Sequence, residues 1–307
     1  MSREALAGAG NDTGAEAEAA DGRRSQWSRW SVSGADVTTV LPLIALTAVV
    51  AWTGFRALHN APVDLPGSVL GVAPWLGPAA GVLAGAAAAA LGLRSVRHTE
   101  RVGLLFVGVF GALATVVPAV TVPAAVALVG GGAVAVVAGG TDRGWRGTLR
   151  HAVPALLLGS VALSLGAATG LLPPGLRSAG SALALVGLAA SPALVRPGAT
   201  EWTLGALAAG GVLWAGAALP FVTGAVTLVA FGLVGTPLVL FGAGVGGCVA
   251  TVSGSFRREP DGPTVRRRGI GAALVLLAGT PATVAGATAV VLGAVLLAGV
   301  WTGGDRR

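Results

Sequence analysis

Long uncharged stretches alternate with short loops rich in arginine, and this alternation constrains the chain more than any other feature. The last such stretch, residues 269–300, runs for 32 residues without an ionisable side chain. Just ahead of it stand Arg257, Arg258, Arg266, Arg267 and Arg268. Crossing about 30 Å of hydrocarbon takes about 20 mostly apolar residues in a helix, which satisfies its own backbone amides. The uncharged stretches meet that requirement repeatedly, at residues 37–55, 69–93, 102–120, 122–139, 152–172, 178–195, 202–222, 226–251 and 269–300. The expected fold is an all-α, polytopic transmembrane helix bundle of nine spans. Ten is the alternative, because the final stretch is long for one span and holds GTPATVAG near its middle, where a hairpin could turn.

Composition agrees. Charged residues make up 11% of the 307, with mean hydropathy +0.79, against about 25% charged in soluble domains. Residues 1–34 are small, polar and mixed in charge, and read as a disordered cytoplasmic tail; the apolar run starts too late for a signal peptide. Within the tail, SQWSRW suits a short interfacial segment. The membrane domain is placed at residues 35–303, with a short tail at 304–307. Prolines 42, 118, 154, 220, 237 and 281 fall inside the apolar runs, where kinks are expected.

The net charge is +7, and all twenty basic residues are arginine. The absence of lysine and tyrosine, with isoleucine only at Ile44 and Ile270, reads as nucleotide bias. Positive charge in short loops marks the cytoplasmic side. With a cytoplasmic amino terminus and nine spans, sixteen arginines lie inside and four outside; with ten spans, eighteen and two. A nucleic-acid surface has no reason to alternate in this way, so the basic clusters are assigned to membrane lipids, not nucleic acid. Arg257, Arg258, Arg266, Arg267 and Arg268 are candidates for contact with lipid headgroups or for docking a protein partner.

No chemistry-bearing constellation emerges. Asp36, Asp64, Glu100, Asp142, Glu201, Asp261 and Asp305 fall in loops or at span ends, as do His59, His98 and His151. The pair His98 and Glu100 reads as a solvated loop. There is no H-E-x-x-H and no G-x-S-x-G. Asp142 to Arg146 could hold a phosphate headgroup through arginine, although Trp145 there suits interface anchoring. Cys248 is the single cysteine, which excludes an intrachain disulfide and a cysteine-based zinc site. Gly242 to Gly247 resembles a dinucleotide loop only superficially, since no strand precedes it. Gly81 with Gly85, Gly166 with Gly170, Gly180 with Gly187 and Gly286 with Gly293 have helix-packing spacings. Trp52, Trp202 and Trp301 suit the interfacial belt, and Trp75 and Trp214 read as packing residues. No cofactor, metal or catalytic residue is assigned, and the oligomeric state is not encoded legibly. Three functions follow in order: a non-enzymatic membrane subunit or scaffold; a permease component for a neutral or lipid-like solute, with a separate ATPase; and a lipid-modifying enzyme using His98/Glu100 or Arg150/His151.

Overall fold

The computed structural model describes residues 37–138, 145–257 and 262–299. The amino-terminal tail, Arg258, Trp301 and the carboxy-terminal residues lie outside these, as do the side chains of Trp145 and Arg146. The described chain is all helical, without a strand. In chain order the helices are α1 (Val37–Asn60), α2 (Gly67–Arg94), α3 (His98–Val116), α4 (Thr121–Ala138), α5 (Trp145–Ala168), α6 (Leu176–Ala190), α7 (Pro192–Val195), α8 (Ala199–Ala218), α9 (Leu238–Arg257), α10 (Gly262–Ala278) and α11 (Val284–Ala298).

Seven helical segments are long and apolar enough to cross a membrane, and an eighth is obtained if α8 and the π-helical turn Val222–Leu228, bent by 119°, form one span. This corrects the expected nine. The run at 269–300 is not one span but a hairpin of two shorter helices, α10 and α11, reversing at Gly279, where φ is +65°. A second correction concerns residues 226–251. The π-helical turn and an irregular connection occupy the stretch up to Pro237, and α9 begins only at Leu238. Of the six flagged prolines, only Pro42 and Pro154 sit inside helices. Pro118 opens a 3-10 turn, and Pro220, Pro237 and Pro281 stand at breaks.

The packing is a ring around a post. Helices α1 to α6 each pack on the next, α6 packs on α9, α9 on α10 and α10 back on α1. Inside this circuit stands α11, against α2, α3, α4, α5 and α10. Every residue from Val284 to Leu297 is buried. A helix apolar on all sides belongs in an interior, and α11 has no polar face to give to solvent. Helix α8 lies outside the ring, on α9.

Glycine sets the spacing. At four antiparallel crossings two glycines face each other, each backbone lying against the other's carbonyl: Gly85 with Gly108, Gly103 with Gly131, Gly205 with Gly246, and Gly271 with Gly293. A Cβ built on Gly108 would stand 2.7 Å from the Gly85 oxygen, and one on Gly293 2.6 Å from the Gly271 oxygen. Such approach gains dispersion contacts and Cα–H···O interactions. Of the pairs expected from spacing, Gly81 and Gly85 pack against α3, and Gly180 and Gly187 against α5. Gly166 with Gly170 is not a packing pair: Gly166 meets Leu172 of its own following loop, and Gly170 turns the chain with φ +78°. Gly286 touches only the turn before α11, while its heptad mate Gly293 makes the crossing.

Candidate functional site

The two ends of the bundle differ in charge because successive antiparallel helices return each basic loop to the same end. Arg97 donates from Nη1 to the Ala138 carbonyl, which ties the α2–α3 turn to the end of α4. Arg257, the last residue of α9, pairs with Glu201 of α8 at 3.4 Å. Arg267 is buried and donates to the Thr38 hydroxyl at the start of α1. Arg268 donates to the Leu194 carbonyl in α7 at 2.8 Å, and its guanidinium also lies against Gly299, at the end of α11. The cation thus sits at the carbonyl ends of two helices, where the backbone dipole favours it. Arg150 of α5 is near enough to repel it.

The structure therefore divides the five candidate arginines. Arg257 and Arg266 are exposed, Arg267 and Arg268 turn inward and fasten helix ends together, and Arg258 lies outside the described residues. Thr38 and Gly299 both lie against this cluster, so the first and last described helices have their outer ends on the same side of the bundle.

The reading of Glu100 as a solvated loop residue is overturned: its side chain is 0% exposed. It occupies the first turn of α3, on the face that continues as Gly103, Leu104 and Val107 into the core. Ser95, in the turn before, donates to Oε2 at 2.6 Å, while Oε1 has no hydrogen-bond partner. His98, two residues earlier, is exposed. Trp75 and Trp214 are 72% and 68% exposed, so they face the surroundings of the bundle and do not pack within it. Trp202 is likewise exposed, as a belt residue should be. Cys248 is a buried free thiol, and the described residues contain no group of three or more histidine, cysteine or acidic side chains placed to hold a metal.

The arginine-poor end is built on the hairpin bend. Thr53 of α1 donates to the Leu277 carbonyl at 2.6 Å. Thr280 bonds Ser181 of α6 at 2.8 Å and donates to the Gly232 carbonyl at 2.8 Å, while its amide donates to the Phe231 carbonyl. Arg56 lies over the Trp52 ring, 5.4 Å from its centroid, and donates to the Val229 carbonyl. Above the bend is a cavity of about 350 Å³, lined by Trp52, Thr115, Thr121, Thr169 and Thr283 among small apolar residues. A second hollow of about 440 Å³ runs between α4 and α5, with an entirely apolar lining that includes Val126, Gly130, Val161 and Leu172. Leu165 belongs to the walls of both. Neither hollow was legible in the sequence. Threonines in four separate segments carry no pattern until the bend of the hairpin brings them to one level.

No curated protein and no solved structure matches the chain. A family described as an integral membrane family of unknown function (DUF8068) matches residues 38–298, which takes in α1 to α11 almost entirely. Repeated apolar helices, basic loops gathered at one end and this match lead to one conclusion: the chain is a multi-pass integral membrane protein and belongs to that family.

Proposed function

We propose that the protein is a non-enzymatic subunit or scaffold of the cell membrane, with its amino terminus and arginine-rich end in the cytoplasm. The observation that carries the reading is the buried post. Where a carrier would place a passage, α11 fills the centre of the ring, held against α10 by facing glycines. A filled centre favours a static body that presents its ends to others over a permease with a separate ATPase. The orientation rests on the gathering of basic loops at one end. There, exposed Arg266 is available to anionic headgroups or an acidic partner surface, with exposed Arg257 beside it in its ion pair with Glu201, each arginine near anionic lipid contributing about 1 kcal/mol.

Two measurements test this. Solubilisation in mild detergent with quantitative identification of co-purifying proteins should return the same partner in repeated preparations; a reproducibly solitary protein counts against a subunit role. A cytoplasm-specific reporter fused after Arg307 should be active, as should tags inserted between Arg94 and Arg101. Labelling of those tags from outside intact cells would overturn the orientation.

A further inference from the structure

The two hollows that meet at Leu165 have different chemistry. On α4, Thr121 lines the cavity above the bend, while Ala125, Val126 and Val129, one to two turns deeper, line the apolar groove. At the end of α5, Ala168 and the next residue, Thr169, line the cavity, and within the helix Ala162 and Val161 line the groove. Leu165 belongs to both walls, so the two hollows adjoin at this side chain. Both helices thus pass from hydroxyl to hydrocarbon in the same direction, away from the arginine-poor end.

Three of the four lining threonine hydroxyls have a defined polarity, while the fourth, Thr283, accepts from the Gly286 amide. Thr115, Thr121 and Thr169 donate their protons to the carbonyls of Ala112, Pro118 and Leu165. Each therefore offers the cavity only acceptor lone pairs. Trp52 also lines the cavity, and its indole N–H meets no acceptor among the described residues. No ionisable side chain lines either hollow. A head that fits must be uncharged, must donate hydrogen bonds to threonine oxygens, and gains by accepting one from tryptophan. A hydroxyl group does both. The groove beside it, with no polar side chain in its lining, suits one hydrocarbon chain entering from the bilayer, and cavities of this size hold small ligands.

We propose that the protein binds a neutral, hydroxyl-headed amphiphile, its head in the cavity above the hairpin bend and its chain in the groove between α4 and α5. The site is separate from the subunit role: loss of amphiphile binding would leave partner capture untouched, and a solitary protein could still bind the amphiphile.

The test uses the full chain in detergent micelles, with a monoacylglycerol carrying a photoreactive diazirine in its acyl chain. Two comparison probes share the chain: a methyl ester without a hydroxyl, and a lysophosphatidic acid with a charged head. After irradiation and digestion, the monoacylglycerol should label segments 125–130 and 161–172, and excess unmodified monoacylglycerol should suppress the labelling. Gly130 has open space where a side chain would go, so Gly130→Leu fills the groove without disturbing the core. It should lower labelling about tenfold by displacing methylenes of the chain. Thr121→Val with Thr169→Val should reduce monoacylglycerol labelling toward the level of the methyl ester. Gly210→Leu, at an open position on α8, should change nothing. Labelling spread evenly over outward-facing helices, equal labelling by the lysophosphatidic acid, or insensitivity to Gly130→Leu would overturn the proposal.

Discussion

At Gly271 and Gly293 the difference between hydrogen and methyl decides how close two helices come. A Cβ at either position would press on the facing carbonyl oxygen at 2.6 Å, and on Gly271 it would also meet Leu296 at 3.0 Å. Gly271→Ala should therefore destabilise the protein by about 1–3 kcal/mol through overpacking, read as a lower unfolding midpoint in detergent. Gly210→Ala, with nothing within 4 Å, should instead be neutral or gain up to about 1 kcal/mol of helix propensity. A buried acid offers a second test. Removing the Ser95 hydroxyl leaves Glu100 without any hydrogen bond, so Ser95→Ala should cost about 1–3 kcal/mol. In the background of Glu100→Leu the same change should cost much less, because in contacting pairs the costs are not additive. Neither the crossing of Gly271 with Gly293 nor the burial of Glu100 was legible in the sequence, although spacing had marked Gly293. Among fifty glycines, spacing along one helix picked out Gly81 and Gly85 but could not reveal Gly103 opposite Gly131, because a crossing is a property of two helices. Glu100 stands in a run of charged residues, and only the packing of α3 against α4 shows that its side of the helix faces inward.

The element that departs most from expectation is the α10–α11 hairpin. Its length and the GTPATVAG segment were visible, and so was a hairpin as one of two solutions. What the sequence withheld was the choice, because a helix buried on every side has no periodic face from which to read its ends. The bend itself is fixed by polar contacts. Gly279 has a left-handed backbone, and a Cβ there would run into the Phe231 carbonyl. Gly279→Ala is then doubly penalised, by φ and by contact. Thr280→Val is the gentler probe: it keeps the shape but loses the bonds to Ser181 and Gly232. At about 0.5–1.5 kcal/mol each, the loss should lower the unfolding midpoint and raise amide exchange in the connection between α8 and α9, which the bend holds in place. The misplaced start of α9 has a related cause. Residues 226–234 are apolar enough for a span, yet here apolar side chains serve an irregular connection that covers the bend.

At the scale of the whole molecule, the membrane character and the sidedness of the basic loops were legible, since both follow from where charge is absent. The ring and its post were not, because helix order around a bundle is set by which faces meet. This arrangement has a consequence for how the chain is made. The post is the last described helix to be synthesised, and the helices that enclose it all precede it. Until this helix has inserted, the earlier helices must wait in the bilayer around an unfilled centre, with the inward sides of α2 to α5 against lipid. A stop codon near Gly279 should thus yield a chain that inserts in full but is rapidly cleared by membrane proteases, as pulse–chase labelling would show. Supplying the missing helix as a separate polypeptide should slow that clearance.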